Sequence, residues 1–163
     1  MSQRVFPRLL LIAGVLGMNA AQAGTGSMFA SVITPLALTE SSTLEFGQLQ
    51  SSGAPGTVVI DDADGRTASG GASLEGGTFG SATWSVSGEP STAYTISLPD
   101  SDVVLSSGAD AMTVNGFTDS HGGSSATDAA GSDSFNVGAI LNVGANQPDG
   151  AYSGTYDVTI AYQ

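Results

Sequence analysis

The sequence predicts an all-β fold, an antiparallel immunoglobulin-like β-sandwich, with a jelly roll or small barrel as the second choice. Three observations lead there. No stretch of twelve residues keeps a helical period, because Gly, Ser, Thr and Asp interrupt every apolar run. Apolar and polar residues alternate at period two in segment after segment. Clusters of turn-forming residues separate those segments at short intervals, in a chain where 23 of 163 residues are Gly.

The N-terminal stretch reads as an address. Arg4 and Arg8 precede a ten-residue apolar run, Leu9 to Met18, and Ala21-Gln22-Ala23 forms an A-x-A cleavage signal. Residues 1–23 are therefore expected to be a secretory signal peptide, too short to serve as a stop-transfer span. No Cys follows the run, so no lipoprotein anchor is expected. Residues 24–163 would form one domain with no membrane span, first in the periplasm and then outside the cell or on its surface. Of the three Lys+Arg residues only Arg66 remains, against fifteen Asp+Glu, so the net charge becomes 1 − 15 = −14. Such a balance argues against nucleic acid, whose phosphates need a basic patch.

The next segment, Ser27–Glu40, places Met28, Ala30, Val32, Leu36 and Leu38 on one alternating face. It reads either as the domain's own first strand or as an assembly strand given to a neighbour, with residues 24–32 as the donated part. Short strands follow at Thr43–Phe46, Thr57–Ile60, Gly71–Leu74, Val103–Leu105 and Met112–Phe117. Clearer alternation marks Ala82, Trp84 and Val86, then Tyr94, Ile96 and Leu98. It also marks Phe135, Val137, Ala139, Leu141 and Val143. Asp61-Asp62-Ala63-Asp64-Gly65 is expected to turn a hairpin, and Ser120–Asp133 to form a solvated loop. Tyr152, Tyr156, Val158, Ile160 and Tyr162 share one face of a last strand, with Gly154 between them. The sequence stops in that strand, so an uncovered edge is expected, which another chain could fill.

Chemistry is hard to find. Zero Cys excludes a disulfide framework, a thiolate metal site and a Cys nucleophile. The single His, His121, lies among small polar residues, and no G-x-S-x-G elbow or phosphate-binding Gly loop occurs. Glu40, Glu45, Glu75 and Glu89 offer carboxylates, but only their separation in space could make a glycosidase pair. Asp62-Ala63-Asp64-Gly65 lacks the first and last ligands of a calcium loop, since Ile60 and Gly71 stand at those positions. The expectation is no enzyme, no catalytic or metal residues and no cofactor. Trp84 is assigned to the core. Arg66 is expected to pair with an Asp of its own turn or to cap a sheet edge.

Several strings carry a resemblance: Ile33-Thr34-Pro35-Leu36-Ala37-Leu38, Leu44-Glu45-Phe46-Gly47, Arg66-Thr67-Ala68-Ser69-Gly70-Gly71 and Leu141-Asn142-Val143-Gly144-Ala145-Asn146-Gln147. The ending Gly150-Ala151-Tyr152-Ser153-Gly154-Thr155-Tyr156-Asp157-Val158-Thr159-Ile160-Ala161-Tyr162 joins them. Together they resemble the exported bacterial domain of unknown function 4402, which implies no enzymatic activity. The ending also resembles the last strand of chaperone–usher and spore-coat-U-like pilins. Those pilins are incomplete immunoglobulin-like sandwiches completed by the N-terminal strand of the next subunit, and their last strand binds a periplasmic chaperone. The resemblance implies a fimbrial or pilin-like surface subunit, with self-association or a chaperone and usher as partners. The alternative is a self-contained secreted sandwich that binds glycan or calcium.

Overall fold

The computed structural model describes residues 23–163, so the expected signal peptide lies outside the described residues except for Ala23. The chain divides after Val32: one unit ends there, and a second runs from Ile33 to Gln163. Ala23–Leu36 contain no strand. The second unit is an antiparallel β-sandwich with no helix, curled towards a half-barrel.

Twelve strands build it: β1 (Ala37–Ser42), β2 (Glu45–Phe46), β3 (Leu49–Ile60), β4 (Arg66–Leu74), β5 (Phe79–Gly80), β6 (Ala82–Ser87), β7 (Ala93–Ser97), β8 (Val103–Ser107), β9 (Asp110–Asp119), β10 (Ser124–Ala126), β11 (Ser132–Val143) and β12 (Thr159–Tyr162). The larger layer follows the order β1-β6-β11-β3-β4, with β9 also paired to β11 and β8 paired to β9. The smaller layer is β10-β7-β12, and β2 pairs with β5 in a two-stranded ribbon. Strand β11 is the spine. Its first half pairs with β6, while Ile140–Asn142 pair with both β3 and β9, which must therefore flank it. Its alternation is the strongest in the sequence, and Phe135, Val137, Ala139, Leu141 and Val143 are all buried.

The core has two halves. One gathers Ala82, Val86, Phe135 and Val137 of the large layer under Tyr94 and Ile96 of β7. The other gathers Val58, Met112, Val114, Ala139, Leu141 and Val143. Leu44 and Phe117 pack against both. Each large side chain so buried contributes about 1.5–3 kcal/mol. The smaller layer covers only the first half; Leu44, Phe46, Leu49 and Tyr152 lie over the second.

Two segments differ from their sequence reading. Ser120–Asp133 is not a plain loop, because β10 pairs there with β7. Its turns are held by carboxylates: Asp119 accepts from the His121 and Gly123 N–H groups, and Asp128 from those of Ala130 and Ser132. The terminal strand is shorter than its alternation implies, pairing only over Thr159–Tyr162. Before it, Tyr152 packs on one core half and Tyr156 on the other. The chain there crosses between clusters instead of following β7.

Candidate functional site

The half-covered core leaves a slot of about 1010 Å³. Its floor is the large layer: Leu105, Met112, Val114, Phe117 and Leu141. One wall is Thr43–Ser51, the other Gln147–Tyr156, and Trp84 and Glu40 also line it.

The first wall is fixed from behind by Arg66. Its guanidinium donates through Nη1 to the Glu75 carbonyl at 2.9 Å and through Nη2 to the Gln48 carbonyl, and it lies 5.1 Å above the centroid of the Phe79 ring. Gly47 lets it approach: with φ at 71°, a Cβ there would stand 2.9 Å from Arg66 Cζ. The sequence expected Arg66 to pair with an Asp or to cap an edge. It pairs with no Asp, because the Asp61–Gly65 turn uses its carboxylates itself; it takes the carbonyls just outside the Leu49–Leu74 end of the β3–β4 ladder. Asp61 Oδ1 accepts from the N–H groups of Ala63 and Gly65, and Asp64 Oδ1 from the Ser81 N–H and hydroxyl. The Ser81 bonds hold the Asp64 pKa below the ordinary aspartate value.

The second wall is held by side chains. The Tyr156 ring stacks on Phe117 at 5.2 Å and meets Trp84 edge-on at 6.3 Å, and its hydroxyl accepts from Trp84 Nε1 at 3.2 Å. Burial pushes the Tyr156 pKa up, with the Glu40 charge adding to it. Tyr152 donates to the Pro148 carbonyl and accepts from Gln147 Nε2. The Ser51 hydroxyl reaches the Gln147 carbonyl and ties the two walls at one end. Ser153 bridges to Ser106, yet Thr155, Tyr156 and Asp157 make no backbone hydrogen bond among the described residues. That stretch, outside any strand, runs beside a floor in which Met112, Val114 and Leu141 are buried and Leu105 and Phe117 half-buried.

The residues singled out in the sequence separate into groups. Leu36 and Leu38 are half-buried against the core half under β7, as are Val158, Ile160 and Tyr162. The Tyr162 hydroxyl donates to the Thr34 carbonyl and accepts from Glu89 N–H, which ties β12 to the approach of β1. Met28, Ala30 and Val32 lie in no strand and are exposed. Tyr152 and Tyr156 line the slot. Leu44, Phe46 and Phe117, not singled out as site residues, line it too. Their alternation was visible, but that they face an uncovered core depends on pairings distant in sequence.

Little reactive chemistry is assembled. The slot lining holds Glu40, Glu45 and Asp149 but no Lys, Arg, His or Cys. Among the described residues no three His, Cys, Asp or Glu side chains cluster as a metal site, and no helix is long and apolar enough to cross a membrane. His121 is docked, with Nε2 3.0 Å from the Ser134 carbonyl and 3.6 Å from Asp133 Oδ2. The Ser125 hydroxyl donates to Asp133 at 2.6 Å and not to the imidazole, so these three do not form a nucleophile relay.

The sandwich thus has a slot on one side, lined by apolar floor residues and flanked by a stretch, Thr155–Asp157, without backbone hydrogen bonds among the described residues. The chain belongs to the family described as domain of unknown function DUF4402, whose model matches residues 36–162. The match covers the sandwich from β1 onwards and leaves Gly24–Pro35 outside. No curated protein and no solved structure matches the chain.

Proposed function

We propose that the protein is a non-enzymatic, exported structural subunit of the cell surface, fimbrial or pilin-like, assembled by β-strand addition. The slot carries this reading: apolar floor, two walls and an unpaired edge at Thr155–Asp157 are what an added strand requires. The resemblance of the Tyr152–Tyr162 ending to pilin terminal strands agrees with it, as does the signal read in residues 1–23. A periplasmic chaperone that covers the slot during transit, and an usher, are the partners this reading entails.

The test is assembly of exported protein. Strands buried in a groove leave slowly, because leaving exposes bare apolar surface. Mature protein should run as heat-labile, detergent-resistant ladders on a gel. Deleting Gly24–Val32 should abolish the ladders and leave a folded monomer. Full-length mature protein that stays monomeric at every concentration would overturn the reading.

A further inference from the structure

We infer that Asp149-Gly150, in the second wall of the slot, is a self-modification site, where the Asp149 carboxyl closes onto the Gly150 amide and the backbone is rebuilt as isoaspartate. The inference does not depend on the assembly reading. Three Asp-Gly or Asn-Gly pairs occur in the chain: Asp64-Gly65, Asn115-Gly116 and Asp149-Gly150. A glycine leaves its amide nitrogen unshielded by a side chain, so by sequence each pair is a candidate. The fold blocks two of them. Asp64 is held at a φ of 65°, and its Oδ1 accepts from the Ser81 N–H at 2.8 Å and from the Ser81 hydroxyl at 2.7 Å. The Gly65 N–H is engaged by Asp61 Oδ1 at 2.6 Å. The Ser81 bonds also keep Asp64 ionised, whereas ring closure needs the neutral carboxyl. Asn115 lies within β9, which is paired to both β8 and β11, and its Nδ2 donates to Asp102 Oδ1 at 3.0 Å.

Asp149 and Gly150 differ on every count. Both are exposed, both lie at a bend outside any strand, and neither the Asp149 carboxylate nor the Gly150 N–H has a hydrogen-bond partner among the described residues. The chain is held on either side: the Gln147 carbonyl accepts from Ser51, the Pro148 carbonyl from Tyr152, and Ser153 is bridged to Ser106. The Gly150 nitrogen adds to Asp149 Cγ. Its proton and the carboxyl hydroxyl leave together as water, and an imide ring closes. Water then returns at either carbonyl. Addition at Cγ restores aspartate. Addition at the main-chain carbonyl carbon breaks its bond to the Gly150 nitrogen, so the chain runs on through Cβ and Cγ and the old carbonyl carbon becomes a free carboxylate. One water is lost and one regained, nothing is oxidised, and the mass is unchanged. The wall gains one main-chain carbon between the Pro148 and Ser153 anchors.

The test ages mature full-length protein for weeks at physiological temperature and mildly acidic pH, folded or in urea. Isoaspartate is then labelled with isoaspartyl methyltransferase and a labelled methyl donor, and the label is mapped. Cleavage at Arg66 isolates the Asp64 pair, and chymotryptic cleavage after Phe117 separates Asn115 from Asp149. In the folded protein the label at Asp149 should exceed that at Asp64 and at Asn115 by about tenfold or more, because the held pairs react only through local opening. In urea all three should be labelled. Asp149→Glu, which would have to close a larger ring, should lose the label at that site while Trp84 fluorescence keeps its native spectrum. Folded protein labelled at Asp64 or Asn115 as strongly as at Asp149 would overturn the inference. So would folded protein left unlabelled at Asp149 over the time in which the unfolded chain is labelled there.

Discussion

Arg66 shows how one side chain can hold a wall. Two of its nitrogens take carbonyls of Gln48 and Glu75, while its Nε is buried with no hydrogen-bond partner. A fork that reaches two carbonyls from above a ring needs a planar guanidinium, which an ammonium cannot imitate. Arg66→Lys should lower stability by about 2 kcal/mol in urea unfolding; Phe79→Leu, which removes only the ring beneath, should cost less than about 1 kcal/mol. Equal stability of Arg66→Lys and wild type would refute this role. Tyr94 and Asp133 form the other residue-scale device. The fully buried Tyr94 donates to Asp133 Oδ2 at 2.8 Å. Burial raises the Tyr94 pKa and the neighbouring carboxylate raises it further. Burial also pushes Asp133 up, but bonds from Ser125, Tyr94 and the Ser134 N–H, with the nearby His121, outweigh it and leave the pKa lowered. The signs give two pH edges. Below about pH 4 the unfolded Asp133 binds more protons than the folded one, so stability falls as pH drops through the folded pKa. Above about pH 10 the unfolded Tyr94 ionises and the folded one does not, so stability falls as pH rises. Tyr94→Phe should cost about 1–2 kcal/mol at pH 7 and should flatten the loss above pH 10. An unchanged alkaline slope in denaturant titrations would show that Tyr94 does not govern that edge.

Among the elements, the Asp61–Gly65 turn is the simplest to test. Asp61 Oδ1 satisfies two backbone N–H groups and Asp64 takes up a positive φ of 65° while bonding to Ser81. Asp61→Ala should cost about 1–2 kcal/mol, the range of a lost cap. Calcium at millimolar concentration should leave the Tm within a degree. A site filled to a hundred times its Kd would add about 2.7 kcal/mol, which calorimetry would register as several degrees. Turns and strands of this kind are legible in sequence because their signals are local. The alternation of Phe135–Val143 marks β11, and the Asp61–Gly65 cluster marks the β3–β4 hairpin. Strand β10 is not legible, since Ser124-Ser125-Ala126 has no apolar pattern and exists only because β7 offers an edge. The terminal strand is overread for the complementary reason: Tyr152 and Tyr156 alternate as a strand should, but each is drawn to a different core half. Tyr152 and Tyr156 are legible in sequence as one face of a last strand, not as lining of the slot. Neither wall is legible: Arg66, nearly twenty residues further along the chain, sets the opposite one through Gln48.

For the whole molecule, charge is the property that governs encounter. The chain from Gly24 onwards carries −14, and its one cation is turned onto carbonyls. Two copies approaching one another therefore repel, while the segment proposed to join them is neutral and apolar. Encounter and residence should then respond differently to salt. Long-range repulsion is screened as the Debye length falls from about 30 Å at 0.01 M to about 8 Å at 0.15 M. The assembly rate should accordingly rise with NaCl, by about tenfold across that range, as expected for like-charged partners. Dissociation should scarcely change, because a departing strand gives up apolar burial and backbone hydrogen bonds and not ion pairs. Stopped-flow or light-scattering measurement of ladder growth over a salt series separates the two rates. Growth that slows as salt is added would mean that ionic attraction drives the encounter, which no strand lacking charged residues could supply, and the donated segment would have to be sought elsewhere in the chain.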